Sequence, residues 1–417
     1  MQKNCFYIIS KGIRMDKERL QQITAPLLTW FAEHARDLPW RIRPTAYRVW
    51  VSEIMLQQTR VEAVKPFYAR FMEALPDVTD LAVCPEDRLL KLWEGLGYYS
   101  RVRNMQKAAR MICEQYDGVM PVDYETLLTL PGIGSYTAGA IASIAGGEAV
   151  PAVDGNVLRV VTRICESRAD ITKQSVKKEV EADLRQVIPK EHPGAFNQAM
   201  MELGATVCAP NGAPDCAACP VRQLCLSGAD GSWTEIPVKA PKKPRRIEAR
   251  TVLVIRDTER AVIQKRPKKG LLAGLYELPN AEGHLSADEA LKAVRRMGFS
   301  PIRIHPLPEA KHIFSHIEWQ MQGYLVLVED ADVREAHTPL GNAQELLFVE
   351  PSRTERDYPI PAAFAAYVTS LDILLGQEKF DEAGETTVRN RLELTCERIQ
   401  REKGDKNENS YDCNSVL

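Results

Sequence analysis

The hydrophobic and polar residues of this chain follow two different periods, and the change falls near residue 247. Before that point, apolar residues recur every three or four positions, as on helices with one buried face. The pattern predicts helices at 20–35, 47–58, 63–74, 86–92, 102–115, 136–144, 157–165, 176–187 and 195–203, separated by turns rich in glycine and proline. Residues 16–226 are therefore predicted to form an all-α domain.

From residue 247 onward, apolar and polar positions alternate in short runs. Such alternation is typical of strands, here predicted at 251–255, 261–265, 301–305 and 320–328. Helical periodicity returns at 287–297 and 362–375. The sequence thus predicts a separate α+β domain at 247–375, which makes the protein multidomain.

Three further segments lack a clear period. Residues 1–15 are interpreted as an N-terminal extension, with Met15 as an alternative start, and the charged tail 376–417 is expected to be disordered. Residues 227–246 form a linker with three prolines and a run of lysines and arginines. We favour a solvated tether for this linker over a contact with a DNA backbone.

Composition narrows the class of protein. The 417 residues are 45% hydrophobic and 26% charged, with a formal net charge of −2, values that are ordinary for a soluble globular protein. Any nucleic-acid contact must then come from local basic patches rather than from overall charge. We expect a cytoplasmic protein, associated with the nucleoid if the cell is prokaryotic, because no apolar run is long enough to span a membrane.

Four of the ten cysteines lie close together in the sequence. Their spacing is Cys208-x7-Cys216-x2-Cys219-x5-Cys225. Four soft ligands at such short spacing can hold either zinc or an iron–sulfur cluster. Both alternatives stay open on spacing alone.

A glycine-rich turn lies between two predicted helices. In Leu130-Pro131-Gly132-Ile133-Gly134-Ser135-Tyr136, the two glycines permit close approach of the backbone to a ligand. Free N–H groups at the start of the following helix attract phosphate oxygens. The hairpin at 130–144 is therefore either a phosphate-binding turn or an ordinary helical corner.

Two acidic residues are candidates for glycosidic-bond chemistry. Glu53 shares a helical face with apolar neighbours, so burial should raise its pKa and suit it as a general acid. Asp154 precedes a predicted helix, where it would act as an N-cap. If it stays ionised, it can also stabilise a positively charged sugar. Paired carboxyl groups in different environments are typical of glycosidic-bond cleavage.

Taken together, these motifs resemble the endonuclease III superfamily of DNA glycosylases, and within it the MutY-type adenine DNA glycosylases. The resemblance covers 38–226 strongly and 247–370 more weakly. It is carried by the hairpin, the cysteines and the runs Leu38-Pro39-Trp40-Arg41, Trp50-Val51-Ser52-Glu53, Gln57-Gln58-Thr59-Arg60, Trp93-Glu94-Gly95-Leu96-Gly97-Tyr98-Tyr99, Val153-Asp154-Gly155-Asn156 and Met200-Met201-Glu202-Leu203-Gly204.

The resemblance implies a helix-hairpin-helix fold with a [4Fe–4S] cluster on the four cysteines at 208–225, and excision of adenine mispaired with 8-oxoguanine or guanine in double-stranded DNA. It implies that Glu53 protonates adenine, that Asp154 stabilises the oxocarbenium ion, and that Tyr136 and Asn156 orient them. Trp40, Arg41 and Glu202 would then surround the flipped adenine. The residues that wedge into the base stack and contact the opposite base would be Gln58, Thr59, Leu96 and Tyr98.

One position distinguishes the subfamilies. Endonuclease III has a nucleophilic lysine where this chain has Tyr136. A Schiff base with the sugar needs an amine. Tyr136 therefore favours a monofunctional enzyme over a bifunctional glycosylase and lyase. We separately expect the protein to act as a monomer. A non-catalytic DNA-binding relative is the other alternative, and the pair Glu53 and Asp154 opposes it.

The C-terminal domain resembles the Nudix-like domain of the same family. The acidic positions of a working Nudix box are occupied here by Lys292, Arg295 and Arg296. Basic residues cannot hold Mg²⁺, which argues against a Nudix hydrolase. By resemblance, the short run Phe314, Ser315 and His316 would recognise 8-oxoguanine.

Overall fold

The computed structural model describes residues 16–241, 243–329 and 346–371. These residues form two compact units, one up to Pro244 without Glu94–Gly97, and the other of Glu94–Gly97 with the residues from Arg245 on. The predicted N-terminal extension, the tail and the end of the predicted helix 362–375 lie outside the described residues. None of the described helices has the length and apolar character needed to cross a bilayer.

The first unit is helical, as predicted. Its helices are α1 (Lys17–Gln22), α2 (Thr24–His34), α3 (Ala46–Leu56), α4 (Val61–Ala74), α5 (Val78–Val83), α6 (Glu86–Leu92), α7 (Ser100–Gln115), α8 (Tyr124–Leu128), α9 (Ser135–Ile144), α10 (Gly155–Ile164), α11 (Gln174–Val187), α12 (Pro193–Thr206) and α13 (Leu226–Asp230). The predicted helix 20–35 is interrupted at Ile23. The short helices α5, α8 and α13 were not predicted, since five or six residues are too few to reveal a period.

Helix α10 lies in the core of this unit. Its residues from Val157 to Ile164 are all buried, and its apolar side chains join a cluster that includes Leu184 of α11 and Phe196 of α12. A helix buried on all sides needs a satisfied N-terminus. Asp154 supplies it, because its side chain accepts a hydrogen bond from the backbone N–H of Val157.

A close approach of α12 to α10 fixes the start of α10. A Cβ atom at Gly204 would lie 2.6 Å from Cβ of Asn156. No larger residue fits there without moving Asn156. Gly204 therefore allows α12 to pack directly against Asn156, the second residue of α10.

The second unit combines a mixed sheet with short helices. Its elements are β1 (Arg246–Arg256), β2 (Ala261–Lys265), β3 (Tyr276–Glu277), β4 (Asn280–Glu282), α14 (Ala287–Arg296), β5 (Pro301–Ile313), β6 (Ile317–Val328), β7 (Leu346–Val349), α15 (Pro351–Asp357) and α16 (Ala365–Val368). The strand order is β3-β2-β1-β6-β5, with β4 on β1 and β7 on β2. Strands β1 and β6 are parallel, and the other pairs are antiparallel.

Both faces of this sheet are covered. Val252 and Val254 of β1 face a cluster with Trp319 and Phe364, whereas Leu253 and Ile255 face α14. Burial on both sides explains why residues 252–255 are apolar throughout, rather than alternating as predicted for this strand. The region predicted as one helix at 362–375 instead begins with a 3₁₀ turn at Ala362–Phe364, followed by α16 and a second 3₁₀ turn at Thr369–Leu371.

The segment predicted as a solvated linker at 227–246 contains ordered structure. It starts within α13 and continues through a 3₁₀ turn at Ser232–Thr234. Ile236 is only 1% exposed. The basic residues further along this segment had favoured a free tether. Composition alone cannot show that one apolar side chain anchors the segment that carries them.

Candidate active site

The first unit contains a cavity of about 680 Å³. This is within the range of about 300–1,000 Å³ of small-molecule sites. Its walls include many residues that the sequence singled out, namely Trp40, Arg41, Glu53, Gln58, Thr59, Tyr136, Asp154, Asn156 and Glu202. Helices α3, α9, α10 and α12, distant in sequence, thus meet at one place.

Glu53 projects from α3 and is 6% exposed. The hydroxyl group of Tyr136 donates a hydrogen bond to its Oε2 and lies 3.3 Å from Sδ of Met201. Burial raises the pKa of Glu53, and the nearby Asp154 raises it further. The Tyr136 hydrogen bond and Arg41 oppose these effects, leaving the pKa at about 7. A proton is therefore available on this carboxyl group near neutral pH.

Asp154 is the N-cap of α10 and is partly buried. Its Oδ1 accepts from Val157 N at 2.8 Å, and its Oδ2 accepts from Asn156 Nδ2 at 2.7 Å. Burial raises its pKa, while these hydrogen bonds act in the opposite direction. Both carboxyl groups are thus desolvated. They differ because Asp154 lies at a helix N-terminus, where hydrogen-bond donors stabilise its ionised form.

Glu202 of α12 lies on the cavity wall but is fully engaged by arginines. Its Oε1 accepts from Arg36 Nε at 2.6 Å, and its Oε2 accepts from Arg41 Nη2 at 2.8 Å. Burial alone would raise the pKa of Glu202, but the two guanidinium groups lower it to about 2. The carboxylate is ionised and holds both arginines in place beside the cavity.

Trp40 and its neighbours supply the apolar side of the wall. Trp40 lies in a 3₁₀ turn at Pro39–Arg41 and is buried. Its ring meets Tyr68 edge to face, with centroids 5.4 Å apart. A flat aromatic side chain of fixed orientation is suited to packing against the planar ring of a ligand.

The four residues expected at the base stack occupy different places. Gln58 and Thr59 line the cavity, and Gln58 has a φ of +61°, a conformation that is strained for a residue with a side chain. Tyr98 is 47% exposed and contacts the Arg101 guanidinium at 5.4 Å. Leu96 is 5% exposed and belongs to the Glu94–Gly97 segment. The lining of this cavity includes neither Leu96 nor Tyr98.

The predicted hairpin joins α8 to α9. Gly132 has a φ of +79°, and a Cβ there would come within 2.7 Å of Asn104 Cβ. Gly134 is the N-cap of α9, and Ser135 in the next position donates to Glu181 Oε1 at 2.7 Å. Glycine is thus required at the turn itself, while Ser135 attaches the start of α9 to α11.

Cys208, Cys216, Cys219 and Cys225 line one small cavity together with Arg163. Arg163 Nη1 donates to Cys208 Sγ at 3.3 Å. Burial raises the pKa of Cys219 to about 12. Within the described ranges, no three His, Cys, Asp or Glu side chains are close enough to form a site for one metal ion. The sequence had left zinc and an iron–sulfur cluster open, and the structure adds that the four thiols share one pocket.

Phe314, Ser315 and His316 form the turn between β5 and β6 in the second unit. Phe314 N donates to Ile317 O at 2.8 Å, which closes the turn. The Phe314 ring packs edge to face on Trp319 at 5.0 Å. Ser315 and His316 are exposed, so the turn presents its polar side chains to solvent while its aromatic ring is anchored.

Sequence reasoning missed several residues of the first unit. Arg36 binds Glu202, and Met201 contacts Tyr136. Arg159 of α10 donates to Asn156 Oδ1 at 2.8 Å and to Cys208 O at 2.9 Å. An arginine inside an otherwise apolar helical face was the one available signal, since such a charge must find buried acceptors.

Comparisons with known proteins identify the families that the two domains match. Residues 51–190 match the family model described as HhH-GPD superfamily base excision DNA repair protein. Residues 251–370 match the NUDIX domain. The two domains are therefore a helix-hairpin-helix glycosylase domain and a Nudix-like domain.

Relatives with known names are similar over most of the chain. Adenine DNA glycosylase of Mus musculus is 39% identical over 363 residues, covering 73% of this chain and 70% of the mouse protein. Adenine DNA glycosylase of Buchnera aphidicola from Acyrthosiphon pisum is 32% identical, covering 70% of this chain and 82% of its own length. A solved endonuclease III–DNA covalent intermediate covers 52% of this chain and 99% of its own, with 27% identity and a TM-score of 0.45. The extent of the two sequence matches shows that this chain belongs to the adenine DNA glycosylase family.

Proposed function

We propose that this protein is a monofunctional DNA glycosylase that removes adenine mispaired with 8-oxoguanine or guanine in double-stranded DNA. The observation that supports it most is the pairing of Glu53, with a pKa of about 7, and Asp154 across one cavity of about 680 Å³. The cavity is completed by residues of a single unit, so a monomer suffices. Because its proposed substrate is DNA, we propose that the protein acts in the cytoplasm, at the nucleoid if the cell is prokaryotic.

Glu53 is proposed to protonate N7 of the flipped adenine. The bond between C1′ and N9 then breaks, its electron pair passes to the protonated base, and the sugar becomes an oxocarbenium ion. Glu53, now a carboxylate, takes a proton from the water that attacks C1′. A group with a pKa near the working pH is suited to give and then accept a proton.

Asp154 is proposed to stabilise the oxocarbenium ion through its negative charge. Asn156 and the backbone N–H of Val157 hold the carboxylate through hydrogen bonds of 2.7 and 2.8 Å. Because these donors are already in place before the reaction, no reorganisation is needed when the positive charge develops.

The wall formed by Trp40, Arg41 and Glu202 is proposed to receive the adenine ring. Glu202 accepts a hydrogen bond from Arg36 on one carboxylate oxygen and from Arg41 on the other. It is therefore a positioning residue for those arginines. Gln58, Thr59, Leu96 and Tyr98 stay as proposed contacts to the base stack and the opposite base. The strained backbone of Gln58 supports such a role, since strain is often stored at functional turns.

The absence of strand cleavage is proposed on the chemistry of Tyr136. Its phenol cannot form a Schiff base with the sugar. Its hydroxyl group donates a hydrogen bond to Glu53. In a single-turnover assay on duplex DNA with adenine opposite 8-oxoguanine, we expect adenine release, with strand breaks only after hot alkali. Breaks without alkali, together with covalent trapping by borohydride, would indicate a lyase. Tight binding without adenine release would instead indicate a binding protein.

The four cysteines are proposed to hold a [4Fe–4S] cluster. The donor set fits this group, since four soft sulfur ligands surround one pocket and Arg163 donates toward one of them. When bound, such a cluster supplies a rigid crosslink of the 208–225 loop. Its iron and acid-labile sulfide content in protein purified without added metal would distinguish it from zinc.

The turn of Phe314, Ser315 and His316 is proposed to recognise 8-oxoguanine opposite the adenine. The Ser315→Ala variant should lose a hydrogen bond to the damaged base, reducing the preference for 8-oxoguanine over guanine by about two- to tenfold. The ratio of the single-turnover rates on the two duplexes measures this. Ser300→Ala, at another exposed serine of the same unit, is the control. An unchanged ratio in Ser315→Ala would remove this residue from lesion recognition.

A further inference from the structure

The segment between α13 and Pro244 holds one lysine against the catalytic cavity. Lys239 is exposed, yet it is one of the residues that line the cavity of Glu53 and Asp154. Sequence composition had favoured a free tether for this segment.

The backbone on both sides of Lys239 is fixed to the body of the first unit. Before it, Val238 O accepts from Ile171 N at 3.1 Å, and Val238 pairs with Asp170 in a short parallel bridge. After it, Ala240 N donates to Asp170 Oδ1 at 3.2 Å. The lysine is thus held at a defined position by the 170–171 turn.

A second anchor lies just upstream. Ile236 is 1% exposed, and its carbonyl group accepts from Arg163 Nε at 2.9 Å. Arg163 is buried in α10, the helix that Asp154 caps. The position of Lys239 is therefore set by contacts to the same core that positions the catalytic carboxylate.

The other basic residues on the cavity wall are already neutralised or satisfied. Arg36 and Arg41 form ion pairs with Glu202 at 2.6 and 2.8 Å. Lys177 pairs with Glu181 at 3.6 Å. Arg159 binds Asn156 and two backbone carbonyl groups. In the described part of the chain, Lys239 has neither an ion pair nor a side-chain hydrogen bond, so its charge is available to a ligand.

We propose that Lys239 binds a DNA phosphate next to the nucleotide that enters the cavity. The extruded nucleotide carries its flanking phosphates to the cavity mouth, and a lysine there acts as a positive contact that carries no sequence information. This inference rests on the DNA-excising function proposed above. It adds a backbone contact from a segment outside the helix-hairpin-helix motif.

The test is equilibrium binding of a duplex in which 2′-fluoro-2′-deoxyadenosine, which resists cleavage, lies opposite 8-oxoguanine. In Lys239→Ala, the negative slope of the logarithm of the association constant against the logarithm of salt concentration should become less steep by about 0.9, the value for one lost phosphate contact. The wild-type advantage in Kd should then be about three- to fourfold larger at 50 mM than at 200 mM salt. Lys239→Arg, which keeps the positive charge, should restore the slope.

A neutral methylphosphonate placed at each phosphate flanking the target nucleotide gives the position of the contact. At one of these positions, the substitution should weaken binding by the wild-type protein and have no further effect on Lys239→Ala. Lys243→Ala is the matched control, because Lys243 is an exposed lysine of the same segment and does not line the cavity. Its loss should show no coupling to either phosphate.

Three results would overturn the inference. They are an unchanged salt slope in Lys239→Ala, an equal coupling in Lys243→Ala, and a collapse of the excision rate with Kd unchanged, which would assign Lys239 to the chemistry. Failure of the wild-type protein to bind or excise adenine would instead contradict the proposed function, so the two failures are distinguishable.

Discussion

Glu53→Gln should reduce the single-turnover rate of adenine excision by about 10²- to 10⁴-fold, the contribution typical of a general acid. Glutamine has nearly the same size and can still accept the hydrogen bond of Tyr136, but it has no proton to give to the base. DNA affinity should be largely retained, because the proposed role of Glu53 is in bond cleavage rather than in binding. Quenched single-turnover excision, together with Kd on the same duplex, measures both quantities.

The matched control is Glu148→Gln. Glu148 is a partly buried acid of the same unit that accepts from Tyr124 N at 2.8 Å, and it does not line the cavity. Its amide variant should keep both its hydrogen bond and normal excision. Excision by folded Glu53→Gln at a rate near that of the wild-type protein would falsify the role of Glu53 as acid.

The pH dependence of excision should report the same group. Glu53 must be protonated to act, and its pKa is about 7, so the wild-type rate should fall as pH rises above that value. The decline should approach about tenfold per pH unit, as expected for loss of one proton. Glu53→Gln should lack this alkaline limb. A wild-type rate that is flat through this range would show that another group supplies the proton.

The sequence was most informative where local rules and tertiary packing agree. Asp154 reads as an N-cap, and it caps α10. Glu53 reads as an acid on an apolar face, and it is buried. The helical and the mixed α+β domains follow from a change of hydrophobic period, because each period reflects which face of an element is covered.

Long-range contacts were beyond sequence reasoning. Tyr136 and Glu53 are 83 positions apart, and Arg36 and Glu202 are 166 apart. No local pattern specifies that these pairs meet. The raised pKa of Asp154 was likewise not foreseen, since a cap is ordinarily solvated, whereas here α10 starts inside the core.

The length of β5 was missed for a related reason. Only 301–305 had the alternation of a strand, but β5 continues to Ile313 as an edge strand that pairs with β6 alone. Its exposed polar residues and two further prolines, Pro306 and Pro308, weaken the signal. Prolines are tolerated there because an edge strand has N–H groups that need no partner strand.

Asp154→Asn should reduce adenine excision by about 10²- to 10³-fold, the loss expected when one preorganised electrostatic group is removed. Asparagine is as good an N-cap as aspartate, so α10 should keep its start and the protein its stability. The substitution therefore separates the two roles of this residue, since the cap is retained while the negative charge is lost. Single-turnover rates and thermal melting of the same samples measure both.

Asp123→Asn provides the comparison needed to interpret that loss. Asp123 caps α8 in the same way, accepting from Thr126 N at 2.9 Å, but it lies away from the cavity lining. Loss of excision in Asp154→Asn with a normal melting temperature, and normal excision in Asp123→Asn, would assign the effect to charge beside the sugar. Normal turnover in Asp154→Asn would leave Asp154 with a capping role alone. The oxocarbenium ion formed after protonation by Glu53 would then have to be stabilised by another group.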